Sequence, residues 1–198
     1  MERLNVKLLN RMLHVDYITN SIFNSRTYIL SDGSDTVWLV DCGDIEPLMS
    51  LVGGRRVEGV LLTHAHFDHI YGLPLLLEKF PDVAIYTNEW GKLALADDKL
   101  NMSLYHETPV RIDCPNVHVV KEGDKVFGLE VYETPGHNPS CLCFANGEVI
   151  FTGDAYIPGC KVVTNLPHCD KTLAEALVVR IMALAEGKMV YAGHEVRG

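Results

Sequence analysis

The stretch from Leu61 to Gly72 reads Leu-Leu-Thr-His-Ala-His-Phe-Asp-His-Ile-Tyr-Gly, and no other part of the chain constrains its folding as strongly. Val60-Leu61-Leu62 is a short apolar run of the kind that forms a buried strand. Directly after it, four candidate ligands fall within six residues: His64, His66, Asp68 and His69. The cluster therefore sits where a strand ends, the place where loops carry chemistry on a rigid scaffold. Partners for such a cluster must come from the ends of other strands.

Neutral imidazole offers a lone pair at little protonation cost near pH 7. In extended backbone, side chains two apart point to one side, so His64 and His66 can grip one cation. Asp68 and His69 offer an oxygen and a nitrogen to a second, and zinc accepts such ligands. A solvated polar loop or a purely structural metal site is the plainer alternative, and a lone histidine pair would favour it. Four ligands in six residues turn the balance. Three further candidates have matching settings. His137 follows Leu-Glu-Val-Tyr-Glu, Asp154 follows Glu-Val-Ile-Phe, and His194 follows Lys-Met-Val-Tyr. Each lies just past an apolar strand with a glycine beside it, as if the backbone turned sharply to aim a side chain at one shared site.

The rest of the chain alternates element types. Residues 27–43 predict two strands around Ser31-Asp32-Gly33-Ser34, since Asp-Gly between apolar runs marks a hairpin. Residues 44–52 predict a helix with Asp44 as N-cap and Gly53-Gly54 as the stop. Strand, helix, strand and helix follow over 57–62, 70–80, 83–87 and 89–98, with Pro74 near the first turn of its helix. Beyond a loop at 101–110, residues 116–136 predict hairpins with Gly123-Asp124 as one turn. Asn146-Gly147 marks another hairpin, residues 173–186 an amphipathic helix, and residues 188–193 a last strand. Interleaved strands and helices with prominent hairpins imply a layered α/β structure with antiparallel or mixed sheets.

At 198 residues and 47% apolar, the chain suits a single globular domain over 1–198. No apolar run approaches the roughly 18 residues of a membrane span. The N-terminus lacks the apolar core and small-residue cleavage site of an export signal, so a cytoplasmic location is expected. There the six cysteines stay free thiols. The net charge of −9, without a basic stripe, argues against nucleic acid as a partner.

The ordered set Thr-His-Ala-His-Phe-Asp-His, Thr-Pro-Gly-His, Thr-Gly-Asp and Ala-Gly-His resembles the metallo-β-lactamase-fold hydrolases, as does the early Thr27–Asp44 segment with its aspartate-glycine turn. The resemblance implies a four-layer αββα sandwich with metals at one edge. It implies His64, His66 and His137 on one metal, Asp68, His69 and His194 on the other, and Asp154 bridging them. All seven positions are filled. Two cations roughly 3.5–4 Å apart can share a water and lower its pKa to about 7. Asp68 would then help to manage protons as the catalytic carboxylate.

Within the family, the complete motif, the bridging aspartate and Asn101-Met102-Ser103 look like the glyoxalase II-like branch. That implies a dinuclear zinc enzyme, with iron or manganese as alternative metals, hydrolysing a thioester or another small ester or lactone. The chain stops four residues after His194, where glyoxalase II continues into a helical domain that binds glutathione, so the resemblance does not carry glutathione specificity. His137-Asn138-Pro139-Ser140-Cys141 also departs from the usual His-Thr-x-Gly-Ser. Competing readings are a mononuclear iron persulfide dioxygenase, a phosphodiesterase or nuclease of the same fold, and a non-catalytic metal-stabilised binding module. Tyr156, next to Asp154, and His168, in a segment that often lies over the site in this fold, are candidate substrate contacts; Asp170 reads more simply as a helix N-cap. Cys42 reads as a packed residue, and His14, His106 and His118 as surface or satisfied histidines.

Overall fold

The computed structural model describes residues 13–195. The first twelve positions of the N-terminal stretch discussed above lie outside that range. Three strands open the described chain: β1 (His14–Thr19), β2 (Arg26–Ser31) and β3 (Thr36–Val40). They run antiparallel to one another, the second and third joined through the Asp32-Gly33 turn. β1 has no counterpart in the sequence reading.

Helix α1 (Ile45–Val52) stops at Gly53, whose φ of 63° is the left-handed conformation that glycine adopts without cost. Asp44 occupies the N-cap position but makes no capping hydrogen bond. Its carboxylate instead accepts from the Ser21 amide at 2.7 Å and the Tyr71 hydroxyl at 2.6 Å, tying this corner to neighbouring loops.

β4 (Arg56–Leu61) pairs parallel with β3. A single helical turn, α2 (Phe67–Ile70), then α3 (Leu73–Lys79), lead into β5 (Ala84–Thr87) and α4 (Glu89–Ala96). β6 (Val117–Val119) closes the first sheet in the order β1-β2-β3-β4-β5-β6. The second sheet holds β7 (Lys125–Val126), β8 (Leu129–Glu133), β9 (Leu142–Ala145), β10 (Val149–Gly153) and β11 (Met189–Ala192), in the order β11-β10-β9-β8-β7. α5 (Lys171–Ala185) precedes its last strand, and Asp170 caps the helix by accepting from the Leu173 amide at 2.9 Å.

One expected hairpin is corrected. Gly123-Asp124 does not join two paired strands, because β6 pairs parallel with β5 while β7 belongs to the other sheet. The chain crosses between sheets there. The tight turn of this region is Phe127-Gly128, with φ of 49° and 73°, the two left-handed residues that a primed hairpin turn requires.

Strand alternation explains the layering. In β2, Ile29 points outward to a cluster with Leu48 of α1, Leu73 and Leu76 of α3, and Leu95 of α4. Its neighbours Tyr28 and Leu30 point inward, against Leu129, Val131, Phe144 and Phe151 of the second sheet. In β9 and β10, Cys143 and Ile150 face the far side, where Ile181 of α5 covers them. Helices, sheet, sheet and helix stack in that order, the αββα sandwich with two mixed sheets. All six cysteines are free thiols.

Candidate metal centre

The ends of β4, β8, β10 and β11 open on one edge of the sandwich, where all seven candidate ligands meet. His64 and His66 follow β4, and His66, in extended backbone, occupies the N-cap position of α2, which carries Asp68 and His69 on one helical turn. The second half of the motif is thus helical rather than a loop. Three overlapping groups have ligand atoms within 4.8 Å of one another: His64, His66 and His137; Asp68, His69 and His194; and His64, His69 and Asp154.

His66 Nδ1 lies 3.0 Å from His137 Nε2. On the other side, His194 Nε2 is 3.2 Å from Asp68 Oδ2 and 3.3 Å from His69 Nε2. Asp154 stands between, its Oδ2 3.6 Å from His137 and 3.3 Å from His194, its Oδ1 3.6 Å from His69. Gly193 makes room for it. A Cβ there would lie 2.2 Å from Asp154 Oδ1.

Outward-facing partners fix which nitrogen each ring turns inward. His69 Nδ1 lies 2.8 Å from Asp41 Oδ2, His137 Nδ1 2.8 Å from the Val163 carbonyl, and His194 Nδ1 3.0 Å from the Phe23 carbonyl. Each Nδ1–H donates outward and makes Nε2 the nitrogen that the ring turns inward, the arrangement that orients metal-binding imidazoles. His64 Nδ1 sits 3.2 Å from Thr63 Oγ1. Its Nε2 and Asp154 Oδ1 are buried without any hydrogen-bond partner. Such orphaned polar atoms are rare in folded proteins and fit a site built for a cation.

The electrostatics agree. Burial and the neighbouring imidazoles push His64 well down and His66 to about 3. Burial would also lower His69, but Asp68 and Asp41 outweigh it and raise the ring to about 9. His194 is raised to about 11 by Asp154 and Asp68 against its own desolvation. Both of these carboxyls are held below the ordinary range by the facing histidines, although burial alone would raise them. The centre is a polarised cluster in which lone pairs and negative charge converge.

Two supporting residues went unassigned from sequence. Asp41 accepts from the Thr63 amide at 2.8 Å and its hydroxyl at 2.7 Å as well as facing His69, from a backbone at φ 59°. Its setting, an apolar strand followed by an acid and then a glycine, repeats the pattern that exposed His137, Asp154 and His194. Asn138 is fully buried, and its Oδ1 accepts from the Ser140 amide and hydroxyl. That holds its Nδ2 2.9 Å from His66 Nε2.

A cavity of about 300 Å³ opens over Asp68, Asp154 and His194, walled by Phe23, Phe67, Met102, Tyr105, Val163 and Leu166. Asn101 shapes one wall, donating from its buried amide to the Ala94 and Val110 carbonyls. His106 is not an ordinary surface histidine, because it lines this cavity with its ring stacked on Phe67 at 3.8 Å. Neither Tyr156 nor His168 is among the lining residues. Tyr156 packs under α5 beside Ala155 and Ile181, since the chain turns away just after Asp154. His168 is exposed, and its ring faces Trp90 at 5.6 Å.

Comparison with known proteins agrees with this geometry. The metallo-beta-lactamase superfamily profile matches residues 22–194, and the chain belongs to that family. It is 33% identical over 177 residues to a hydroxyacylglutathione hydrolase of Hydrogenovibrio crunogenus (strain DSM 25203 / XCL-2), covering 84% of this chain and 57% of the relative. The chain therefore spans little more than half the length of that curated relative. Among solved structures, the BLEG-1 B3 metallo-beta-lactamase superposes with a TM-score of 0.83 at 27% identity, covering 92% of each chain. TTHA1623 in a di-iron-bound form superposes at 0.80 and 27% identity, covering 91% of this chain and 92% of that one. Among the described residues, no helix is long and apolar enough to cross a membrane.

Proposed function

We propose that this chain is a metal-dependent hydrolase that cleaves a small-molecule thioester, ester or lactone at a dinuclear zinc centre. The observation that carries this is the convergence of the seven side chains, with His64 Nε2 and Asp154 Oδ1 buried and lacking any hydrogen-bond partner. His64, His66 and His137 would hold one cation, Asp68, His69 and His194 the other, with Asp154 shared. Bound there, a pair of divalent ions supplies a nucleophile near neutral pH and polarises the attacked carbonyl.

The chain's own groups do the rest. Asp41, Val163 and Phe23 keep His69, His137 and His194 turned inward, so the ligand set is ordered before any substrate arrives. Asp68, like Asp154, borders the substrate cavity beside His194, and its Oδ2 would take the proton that the attacking water loses. The apolar walls limit water around the scissile bond. No lysine or arginine is among the described residues lining this cavity, which disfavours a phosphodiester substrate. The glutathione thioester named for the Hydrogenovibrio relative supports the thioester class, and the di-iron form of TTHA1623 keeps iron as the alternative metal.

Elemental analysis of the purified protein, alongside His66→Ala and Asp154→Ala, tests the reading. The expectation is about two zinc ions per chain, reduced in both variants, with metal-dependent turnover in a panel of thioesters and lactones. One iron per chain with oxygen uptake would replace the hydrolase by an oxygenase, and a folded protein that binds no metal would remove the mechanism.

A further inference from the structure

Behind the wall formed by Phe67 and His106 lies a second cavity of about 570 Å³. Both residues line both cavities, so the two adjoin across one pair of stacked rings. The other walls are Ile22, Tyr71, Pro74, Leu75 and Val110. Tyr71 turns its hydroxyl away to Asp44 at 2.6 Å and leaves its ring for this space. Among the described residues, the charged ones lining it are Glu78 and Glu107, with no lysine or arginine. The first cavity, at about 300 Å³, is small for the reacting group together with a long substituent. Ligand sites usually occupy roughly 300–1,000 Å³ and are mainly apolar with a few polar groups, a description that suits the two cavities joined.

We propose that the second cavity is the subsite for an uncharged aliphatic or aromatic arm of the substrate, reached past Phe67 and His106 from the metal centre. This rests on the hydrolase reading above and narrows its substrate class. A carboxylate-bearing arm such as glutathione would bring negative charge against Glu78 and Glu107, with no cation among the described residues lining this cavity to answer it. An alkyl arm would displace water from Ile22, Leu75 and Val110 at no such cost.

The test uses the zinc-loaded full chain and uncharged thioethers, which bind but cannot be hydrolysed: S-ethyl, S-butyl and S-hexyl N-acetylcysteamine, measured by calorimetry. Kd should fall about fourfold per methylene, the factor corresponding to about 0.8 kcal/mol per buried CH₂. Leu75 is 51% exposed on α3, so Leu75→Glu should fold normally and flatten that gradient. S-(5-carboxypentyl) N-acetylcysteamine, with a carboxylate on the arm itself, should bind more weakly than S-hexyl N-acetylcysteamine. A Kd independent of chain length, or a gradient unchanged in both Leu75→Glu and Ile22→Glu, would overturn the subsite, and equal or tighter binding of the carboxypentyl thioether would overturn its preference for an uncharged arm. A gradient without hydrolysis of the matching thioesters would remove the reaction and leave the subsite standing; hydrolysis without a gradient would do the reverse.

Discussion

Asp41 Oδ2 lies 2.8 Å from His69 Nδ1, with both side chains almost wholly out of solvent. Asp41 is buried where the strand β3 ends, and its other contacts go to Thr63 at the head of the ligand motif. One carboxylate thus sets the direction of the His69 ring and the start of the segment that carries His64, His66 and Asp68.

Asp41→Asn keeps the shape and removes the charge. Partners of this kind typically contribute 10–100-fold to metal affinity. The variant should lose about that factor at the group containing Asp68, His69 and His194, and less at the group containing His64, His66 and His137. Competition against a chromogenic chelator, with the two binding steps resolved, reads this directly. Equal affinity in variant and parent would show that His69 needs no such anchor.

Metal uptake should also release protons. In the metal-free protein His69 is raised to about 9 and His194 to about 11, so at pH 7.5 each ring carries a proton that a metal must displace. Calorimetric titration with zinc in two buffers of different ionisation enthalpy should give a difference matching one proton from each histidine. Identical heats in the two buffers would mean that both rings are already neutral.

Much of this site was legible because each ligand follows a strand whose apolar run is itself legible. The ends of β4, β8, β10 and β11 are fixed by core packing, so side chains just beyond them share an edge wherever the loops go. What escaped notice depends on contacts distant in sequence. β1 is only half-buried, with its outer residues exposed, and gives no clear alternation. β6 joins the first sheet through β5, a parallel pairing that no local turn signal encodes. Adjacency to Asp154 suggests a place near the metals for Tyr156, yet two residues past Asp154 the backbone carries it under α5. His106 lies 37 positions from His69 in the numbering and reaches the cavity only because Asn101 and Ser103 pin its loop to Val110.

Gly193 offers a test of how tightly the Asp154 carboxylate is confined. The added Cβ of an alanine would stand 2.2 Å from Asp154 Oδ1, 2.9 Å from the Gly153 carbonyl carbon and 3.0 Å from His69 Cε1. Asp154 must then swing away from His137 and His194. A displacement of about 1 Å can cost about 100-fold in rate, so Gly193→Ala should lose that order of kcat/KM while keeping its circular dichroism spectrum. Gly147→Ala, whose Cβ would meet nothing within 4 Å, serves as the control. Full activity in Gly193→Ala would mean that Asp154 tolerates several positions.

The pH dependence of stability without metal follows from the same histidines. His66 falls from an ordinary value near 6.5 to about 3, so its contribution is complete above pH 6.5 and is lost as pH drops toward 3. His69 and His194 are raised, so theirs is complete below pH 6.5 and is lost as pH climbs through about 9 and then about 11. The two limbs oppose each other and meet near pH 6.5. Melting of the chelator-treated protein from pH 5 to 10 should therefore show a maximum Tm close to pH 6.5, with a decline on both sides. Metal replaces the protons on His69 and His194, so the zinc-loaded protein should gain most over the metal-free form at alkaline pH, where metal no longer competes with protons. A metal-free Tm that rises steadily to pH 10 would show that the Asp41–His69 and Asp154–His194 pairs are not held as charged partners in the folded state.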